Sequence, residues 1–303
     1  MTNENSAAPK VSVLMTCYNA ASTIEESVRS VLAQTLTDFE LVLVDDLSSD
    51  NSIALIEKIN DPRIRVIKLT ARHRRTRALN KGFNICRGEY IAVLDADDIA
   101  HPTRFSKQVA FLEQNPQIVA VGTWYTNISE NGAEISKAEF STTSVAIRRR
   151  LAFNNSLVHS SMMYRRCAAQ TIGGYMEDFD YAQDFDLWIS FAEIGDIGAI
   201  PEQLTKLRRL TNSMTRGKDY SIDLVRDSYV LYRRAQGLDG LRVIDRLRGQ
   251  RTIGLYGLLY AWRSLRAGNV VRAIGLTITN LWAMPIAFFE LLRKGFKFFK
   301  PIK

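Results

Sequence analysis

Three carboxylates follow one apolar segment of the chain within four positions. Residues 90–94 lead directly into Asp95, Asp97 and Asp98. Like charges this close repel one another, so a cation should hold them together. Carboxylate oxygens are the ligands that Mg²⁺ and Mn²⁺ prefer, and such ions keep coordination positions open for phosphate oxygens. The cluster therefore predicts a metal–phosphate site at the carboxyl end of a strand.

Two further apolar segments end in polar or acidic residues. Residues 39–44 lead into an acidic pair that ends at Asp46, and residues 11–15 lead into Thr16 and Tyr18. In doubly wound sheets, ligands bind just beyond the carboxyl ends of the strands. We therefore expect the three turns to converge on one site.

The segments between these strands have the periodicity of helices. Residues 77–86 and 103–115 carry apolar side chains at helical spacing, residues 22–25 form a capping-box pattern, and residues 66–69 resemble another strand. Alternation of strands and helices predicts an α/β fold with a mainly parallel sheet. The chain contains neither GxGxxG nor GxxxxGK[ST], which argues against an ordinary dinucleotide or P-loop site.

Seven segments of the chain together resemble family-2 glycosyltransferases. They follow the order of that family and consist of residues 9–19, 30–35, 44–50, 88–98, 101–105, 173–175 and 184–188. The resemblance implies a GT-A fold, which is a Rossmann-like mixed sheet with flanking helices. It also implies a nucleotide-sugar donor, with UDP the favoured nucleotide, a divalent cation (Mn²⁺ or Mg²⁺), and inversion at the anomeric carbon.

The resemblance assigns roles on the donor side of the site. It implies that Asp97 binds the metal directly, that Asp95 faces the ribose or the metal's waters, and that Thr16, Tyr18 and Asp46 hold the nucleoside. A carboxylate can accept the imide N–H of uracil, and a tyrosine ring can pack on a base. The alternatives are a solvated acidic turn, a helix cap for Asp46 and a core aromatic for Tyr18.

A basic loop at residues 72–77 should border the diphosphate. Either Arg75 or Arg77 could pair with a phosphate. We favour Arg77, because it opens the segment 77–80 that resembles the family. The alternative is a solvated loop, which charge runs usually form.

The resemblance also assigns the catalytic base and the acceptor side. Asp184 matches the acidic residue that removes the acceptor proton, and Gln183 stands where many relatives have a glutamate. Asp186 is the second candidate for the base, or else the cap of a helix over residues 187–192. His159, expected on a strand, either lines the acceptor side or is a structural histidine.

Charge is distributed unevenly along the 303 residues. Residues 221–303 hold 15 Lys+Arg against 5 Asp+Glu, a net charge of +10, whereas residues 1–220 hold 25 against 27, a net charge of −2. We predict a disordered N-terminus at residues 1–8 without a signal peptide, a GT-A domain at 9–220, and a helical, membrane-associating region at 221–303. Three cysteines without paired spacing suggest a reducing compartment.

The C-terminal region interleaves basic residues with Phe, Leu and Trp, which favours a helix lying on an anionic membrane. The uncharged stretch 273–289 has 17 residues, fewer than the ~20 that a span requires, so we expect it to lie on the bilayer. A helical appendage packed on the catalytic domain or a homodimer contact is the alternative. No nucleic-acid motif accompanies the basic residues.

Together these features predict an enzyme at the cytoplasmic face of the inner membrane, peripheral or monotopic. It would transfer a sugar to a lipid-linked glycan in bacterial surface polysaccharide synthesis. A non-catalytic nucleotide-sugar or glycan-binding relative is the alternative. A nucleotidyltransferase is less favoured, because residues 16–21 lack the Gly-rich basic loop expected of that class.

Overall fold

The computed structural model describes residues 8–210 and 221–283. Its strands form one mixed sheet in the order β3-β2-β1-β4-β8-β6-β9-β5, with β7 paired to β6. They are β1 (Val11–Cys17), β2 (Phe39–Asp45), β3 (Ile64–Lys68), β4 (Tyr90–Val93), β5 (Ile99–Ala100), β6 (Ile118–Ile128), β7 (Glu134–Ala138), β8 (Met163–Arg165) and β9 (Asp196–Arg208).

Ten helices of the described residues accompany the sheet, the last three of them after residue 220. They are α1 (Ile24–Leu32), α2 (Ser52–Glu57), α3 (Arg74–Phe83), α4 (Arg104–Gln114), α5 (Ser144–Leu151), α6 (Arg166–Thr171), α7 (Gln183–Ile194), α8 (Ile222–Ala235), α9 (Val243–Arg266) and α10 (Val270–Thr279).

The apolar strands are buried on both faces. Successive side chains of a strand point to opposite sides, so Leu14 joins the core beneath α3 and α7, while Val13 and Met15 join the core beneath α1 and α4. The pairs β1–β2, β1–β4 and β2–β3 are parallel, and β4 pairs antiparallel with β8. The predicted α/β fold with a mixed, mainly parallel sheet is confirmed.

Two helix starts differ from the sequence prediction. Helix α3 begins at Arg74 rather than at Arg77, and α7 begins at Gln183 rather than at Leu187. The capping box predicted at residues 22–25 is wrong. The N-cap residue of α1 is Thr23, and its side chain makes no capping hydrogen bond to the helix. Its hydroxyl instead donates to the Ala96 carbonyl oxygen at 3.0 Å. That bond ties the start of α1 to the acidic turn after β4.

The C-terminal helices pack partly on the catalytic core. Val225 and Leu231 of α8 lie in the same buried cluster as Trp188 of α7. The backbone of α9 at Gly254 and Gly257 lies so close to Ala283 and Asn280 that a Cβ atom would collide with them. The chain therefore turns back after α9, and the residues following α10 lie against the middle of α9.

The outer side of these helices is apolar and basic. Five large apolar residues of α10 and the turn after it form one exposed stripe, the α10 stripe: Val271, Ile274, Ile278, Leu281 and Trp282. Between residues 242 and 283 the chain has seven arginines and one acidic residue, the buried Asp245.

Within the described ranges, no helix has the length and apolar content needed to cross a membrane. Helix α10 covers only the first part of the 273–289 stretch. Residues 284–289 lie outside the described residues, as does most of the predicted disordered segment at 1–8.

Candidate active site

The carboxyl ends of β1, β2 and β4 meet at one edge of the sheet. Thr16, the one partly exposed residue of β1, lies near the end of the strand opposite Val44 of β2, and the Asp46 N–H donates to the Cys17 carbonyl oxygen at 2.9 Å. The three turns predicted to converge therefore lie side by side, because β1 pairs in parallel with both β2 and β4.

Backbone strain collects at this edge. The non-glycine residues with positive φ among the described ranges are Asn19 (φ 50°), Leu47 (φ 65°) and Arg74 (φ 64°). They follow β1 and β2 and open α3, respectively. A left-handed conformation costs an ordinary L-residue about 1–2 kcal/mol, and such strain clusters at functional sites. The strained residues lie in the loops that follow the carboxyl ends of the strands, where the candidate site is.

The acidic cluster forms as the sequence predicted. One oxygen from each of Asp95, Asp97 and Asp98 lies within 4.8 Å of the others. Burial, together with the charge on Asp95, raises the pKa of Asp97 to about 6. Burial and the charges of both neighbours raise the pKa of Asp98 well above its usual range. Burial and mutual repulsion therefore both disfavour the ionised forms of Asp97 and Asp98.

Arg75 is the cation of this cluster. Its Nη2 atom lies 2.5 Å from Asp95 Oδ1 and 3.2 Å from His159 Nδ1. With the Gln183 amide oriented to satisfy both of its neighbours, its oxygen accepts from Arg75 Nε at 2.9 Å. Burial alone would raise the pKa of Asp95, but Arg75 and His159 outweigh it and hold that pKa well below its usual range.

The structure does not bring Arg77 to the acidic cluster. Arg77 lies on the exposed side of α3, where its Nε atom donates to Glu177 at 3.0 Å. Residues 75 and 77 lie two positions apart on a helix, so their side chains point about 200° away from each other. Because α3 begins at Arg74, it is Arg75 that faces the site, and the preference for Arg77 is corrected on this geometry.

His159 lies on a short 3₁₀ turn, His159–Ser161, and not on a strand as expected. Its Nε2 atom is 2.9 Å from the Tyr175 hydroxyl, which is 3.2 Å from the Tyr164 hydroxyl. Its Nδ1 atom lies between Arg75 Nη2, at 3.2 Å, and Asp95 Oδ1, at 3.4 Å. The imidazole thus connects Arg75 to a buried tyrosine pair and fixes the orientation of the guanidinium.

Arg208, near the far end of the domain, holds the acidic turn. Its N–H donates to Asp98 Oδ1 at 2.8 Å, and its Nε donates to the Asp97 carbonyl oxygen at 3.1 Å. Its Nη2 pairs with Glu26 at 2.5 Å. Only 3% of its side chain is exposed. Since 110 residues separate Arg208 from Asp98, no local pattern could have signalled this contact.

Asp184 lies in the first turn of α7, beside the cluster. Burial raises its pKa, an effect that the charges of His159 and Arg75 partly offset. Its Oδ1 accepts from the Phe185 N–H at 2.7 Å. A half-buried carboxylate with a raised pKa has the properties that a general base requires.

Asp186 lies two residues further along α7 and faces away from the cluster. Its Oδ1 pairs with Arg234 of α8 at 2.5 Å, and its side chain is 4% exposed. The same arginine donates to Ser190 Oγ at 3.0 Å. The expected place of Asp186 on the acceptor side is therefore corrected: it joins α7 to the C-terminal helices and lies inside α7, not at its cap.

The remaining residues assigned to the nucleoside lie at the other end of the site. Asp46 is buried, and its Oδ1 accepts from the His73 N–H at 2.7 Å. Tyr18 is 47% exposed and therefore is not a core aromatic. Arg72 lies over the Tyr18 ring, with its guanidinium carbon 3.2 Å from the ring centre.

Comparison with known proteins identifies the family. Residues 12–173 match the family model described as Glycosyl transferase family 2. The chain is 34% identical to EpsE of Bacillus subtilis (strain 168), which carries a glycosyltransferase name, over 72% of this chain and 80% of that protein. It is 26% identical to the amylovoran biosynthesis glycosyltransferase AmsE of Erwinia amylovora, over 73% and 84%.

Solved structures share the fold. Residues 1–349 of TarS from S. aureus superimpose with a TM-score of 0.66 at 17% identity, covering 89% of this chain and 80% of that chain. The mannosyltransferase PcManGT from Pyrobaculum calidifontis, in complex with GDP-Man and Mn²⁺, has a TM-score of 0.58 and covers 98% and 82%. The fold is thus GT-A, and the chain belongs to glycosyl transferase family 2 and is a glycosyltransferase.

Proposed function

We propose that the chain transfers a sugar from a nucleotide-diphosphate donor, with UDP the favoured nucleotide, to an acceptor hydroxyl with inversion. The observation that carries this proposal is the convergence of Asp95, Asp97 and Asp184 around Arg75. Solved relatives of the same fold are described in complex with UDP and with UDP-GlcNAc, which supports the choice of donor.

The acidic cluster fits a hard divalent cation. Its donors are all carboxylate oxygens, and burial together with the repulsion of the neighbouring carboxylates raises the pKa of Asp97 and of Asp98, so a cation would favour their ionised forms. Asp97 would bind Mn²⁺ or Mg²⁺ directly, with Asp95 beside it. A bound cation supplies neutralisation of the charge that develops on the departing diphosphate.

The chain's own residues perform the other steps. Thr16, Tyr18 and Asp46 hold the nucleoside, and Arg75 lies where it can pair with the diphosphate or the sugar. Asp184 removes the proton from the acceptor hydroxyl, and the freed oxygen bonds to the anomeric carbon. The bond to the diphosphate oxygen breaks and its electron pair leaves with the diphosphate. Attack opposite the leaving group inverts the anomeric carbon.

We further propose that the acceptor is a lipid-linked glycan of surface polysaccharide synthesis. The name of AmsE includes amylovoran biosynthesis, and a relative of Rhizobium meliloti is named for succinoglycan biosynthesis. The α10 stripe and the surrounding arginines suit an anionic membrane surface on the cytoplasmic side. Gln183 and His159 are buried against Arg75 and would act on the acceptor side only through it. A homodimer stays a prediction.

A panel of nucleotide sugars tests this function. UDP-sugars should be hydrolysed or transferred in the presence of Mn²⁺ and not in EDTA, and titrated UDP should bind far more weakly to Asp97→Ala. Glu113→Ala is the matched control, because Glu113 is an exposed acid of α4 that pairs with Lys10. UDP binding to Asp97→Ala at wild-type strength would refute the metal assignment. Tight binding of every donor without turnover would favour the non-catalytic alternative.

A further inference from the structure

Arg72 contacts both side chains that are assigned to the nucleobase, Tyr18 and Asp46. Its guanidinium carbon lies 3.2 Å from the centre of the Tyr18 ring. Its Nη1 atom forms an ion pair with Asp46 Oδ2 and also donates to the Asp46 carbonyl oxygen at 3.2 Å. The other carboxylate oxygen of Asp46 accepts from the His73 N–H at 2.7 Å. Each oxygen of the Asp46 carboxylate therefore already has a hydrogen-bond partner.

A guanidinium has the features that a uracil ring would offer to the same groups. It is planar, it stacks on aromatic faces, and its N–H groups point at a carboxylate in the plane. The side chain of Arg72 is 42% exposed, whereas that of Asp46 is 3% exposed. The guanidinium thus reaches in from the solvent side and pairs with a carboxylate that is buried when Arg72 is in place. It lies in the loop just before α3, so it can move without disturbing a helix.

We propose that Arg72 occupies the nucleobase site of the ligand-free enzyme and that donor binding displaces its guanidinium from Tyr18 and Asp46. This inference rests on the proposed function, because it takes Tyr18 and Asp46 as nucleobase contacts. The donor must replace a cation–π contact and a partly exposed ion pair before its own contacts form. Arg72 therefore lowers donor affinity and keeps the Asp46 carboxylate neutralised until a donor arrives.

Removing Arg72 should strengthen nucleotide binding. A cation–π contact at an exposed site and a partly exposed ion pair each stabilise the ligand-free position of Arg72 only modestly. Losing both contacts corresponds to about a tenfold increase in the affinity for the nucleotide. Two variants separate the effect of the charge from that of the planar guanidinium. Arg72→Ala removes both the positive charge and the planar group, whereas Arg72→Lys keeps the charge and removes the planar group. The Arg72→Lys variant also covers the case in which Arg72→Ala fails to fold with Asp46 unpaired.

The experiment is calorimetric titration of the full-length protein, in Mn²⁺, with UDP, uridine and pyrophosphate. We expect both variants to bind UDP and uridine more tightly, by up to about tenfold for Arg72→Ala. Pyrophosphate has no base, so its affinity should not rise in either variant, and it reports the loss of charge alone.

The outcomes separate this inference from the proposed function. Weaker or unchanged UDP and uridine binding in both variants, with unchanged pyrophosphate binding, means that Arg72 stays as a wall of the base site, and it overturns the displacement. Equal gains for UDP and pyrophosphate also overturn it, because the effect would then not involve the base. Failure of wild type and variants to bind any nucleotide refutes the proposed function and this inference with it.

Discussion

Replacing Arg75 by methionine should destabilise the protein in a way that a divalent cation partly reverses. Removing one partner from a buried ion pair costs about 3–5 kcal/mol. The Arg75 and Asp95 side chains are 25% and 22% exposed, so we expect the lower end of that range, about 3 kcal/mol. The loss arises because Asp95 then lies beside Asp97 and Asp98 without the cation that offsets their repulsion.

A divalent cation should bind the variant more tightly than the wild-type protein. Unit charges about 4 Å apart interact by about 4 kcal/mol at an effective dielectric constant of 20, and Arg75 repels any cation held by the same carboxylates. A ligand stabilises the folded state in proportion to the logarithm of its concentration over its Kd. Mn²⁺ should therefore narrow the difference in unfolding free energy by at least about 1 kcal/mol.

Urea unfolding in EDTA and in saturating MnCl₂ measures both quantities. Arg77→Met is the matched control, because Arg77 lies on the same helix and pairs with the exposed Glu177. It should change stability by no more than about 0.5 kcal/mol under either condition. If Mn²⁺ stabilises Arg75→Met and wild type equally, Arg75 and the metal do not share the Asp95 carboxylate, and the electrostatic argument for the site is wrong.

Three further predictions concern catalysis, acid stability and the membrane. Asp184→Asn should keep UDP binding and lose transfer by at least ~10²-fold in a steady-state assay, and near-normal turnover would exclude Asp184 as the base. Burial raises the pKa of Glu40, but hydrogen bonds from Ser12, Arg87 and Arg65 outweigh burial and lower that pKa. The stabilisation that ionised Glu40 contributes to the folded state is therefore present above about pH 4.5 and is lost as the pH falls through the lowered pKa. Glu40→Gln should therefore flatten the acid side of the stability–pH curve measured by urea unfolding, and an unchanged slope would contradict this. Full-length protein should float with anionic but not with neutral liposomes and be partly released by salt, and protein that stays soluble with both would identify the C-terminal helices as packing elements only.

The positions of the site loops could be predicted because parallel strands obey a simple rule. A strand buried on both faces is a continuous apolar run, and its end is marked by the first polar residues. Asp46 and Asp95 follow such runs, and neighbouring parallel strands bring their carboxyl ends together. Local sequence therefore determines both the strand end and its chemistry, and the family resemblance adds the roles.

The partners of those carboxylates could not be predicted, because their contacts depend on helix phase and on distant segments. Shifting the start of α3 by three residues changes which arginine faces Asp95. The contact of Arg208 with the acidic turn joins segments 110 residues apart. Neither periodicity nor composition predicts these pairings, because a buried arginine cannot be distinguished from an exposed one in the sequence.

The C-terminal helices pack on the catalytic core and also present an exposed apolar face. Helix α8 packs in the same core as α7, and Arg234 joins it to Asp186, two residues from the candidate base Asp184. Helix α9 packs on α8, and α10 packs on α9 and exposes the α10 stripe on the outside. Packing on the catalytic core therefore does not exclude membrane binding. If the α10 stripe binds a bilayer as predicted, α9 and α8 connect it to α7, the helix that carries Asp184.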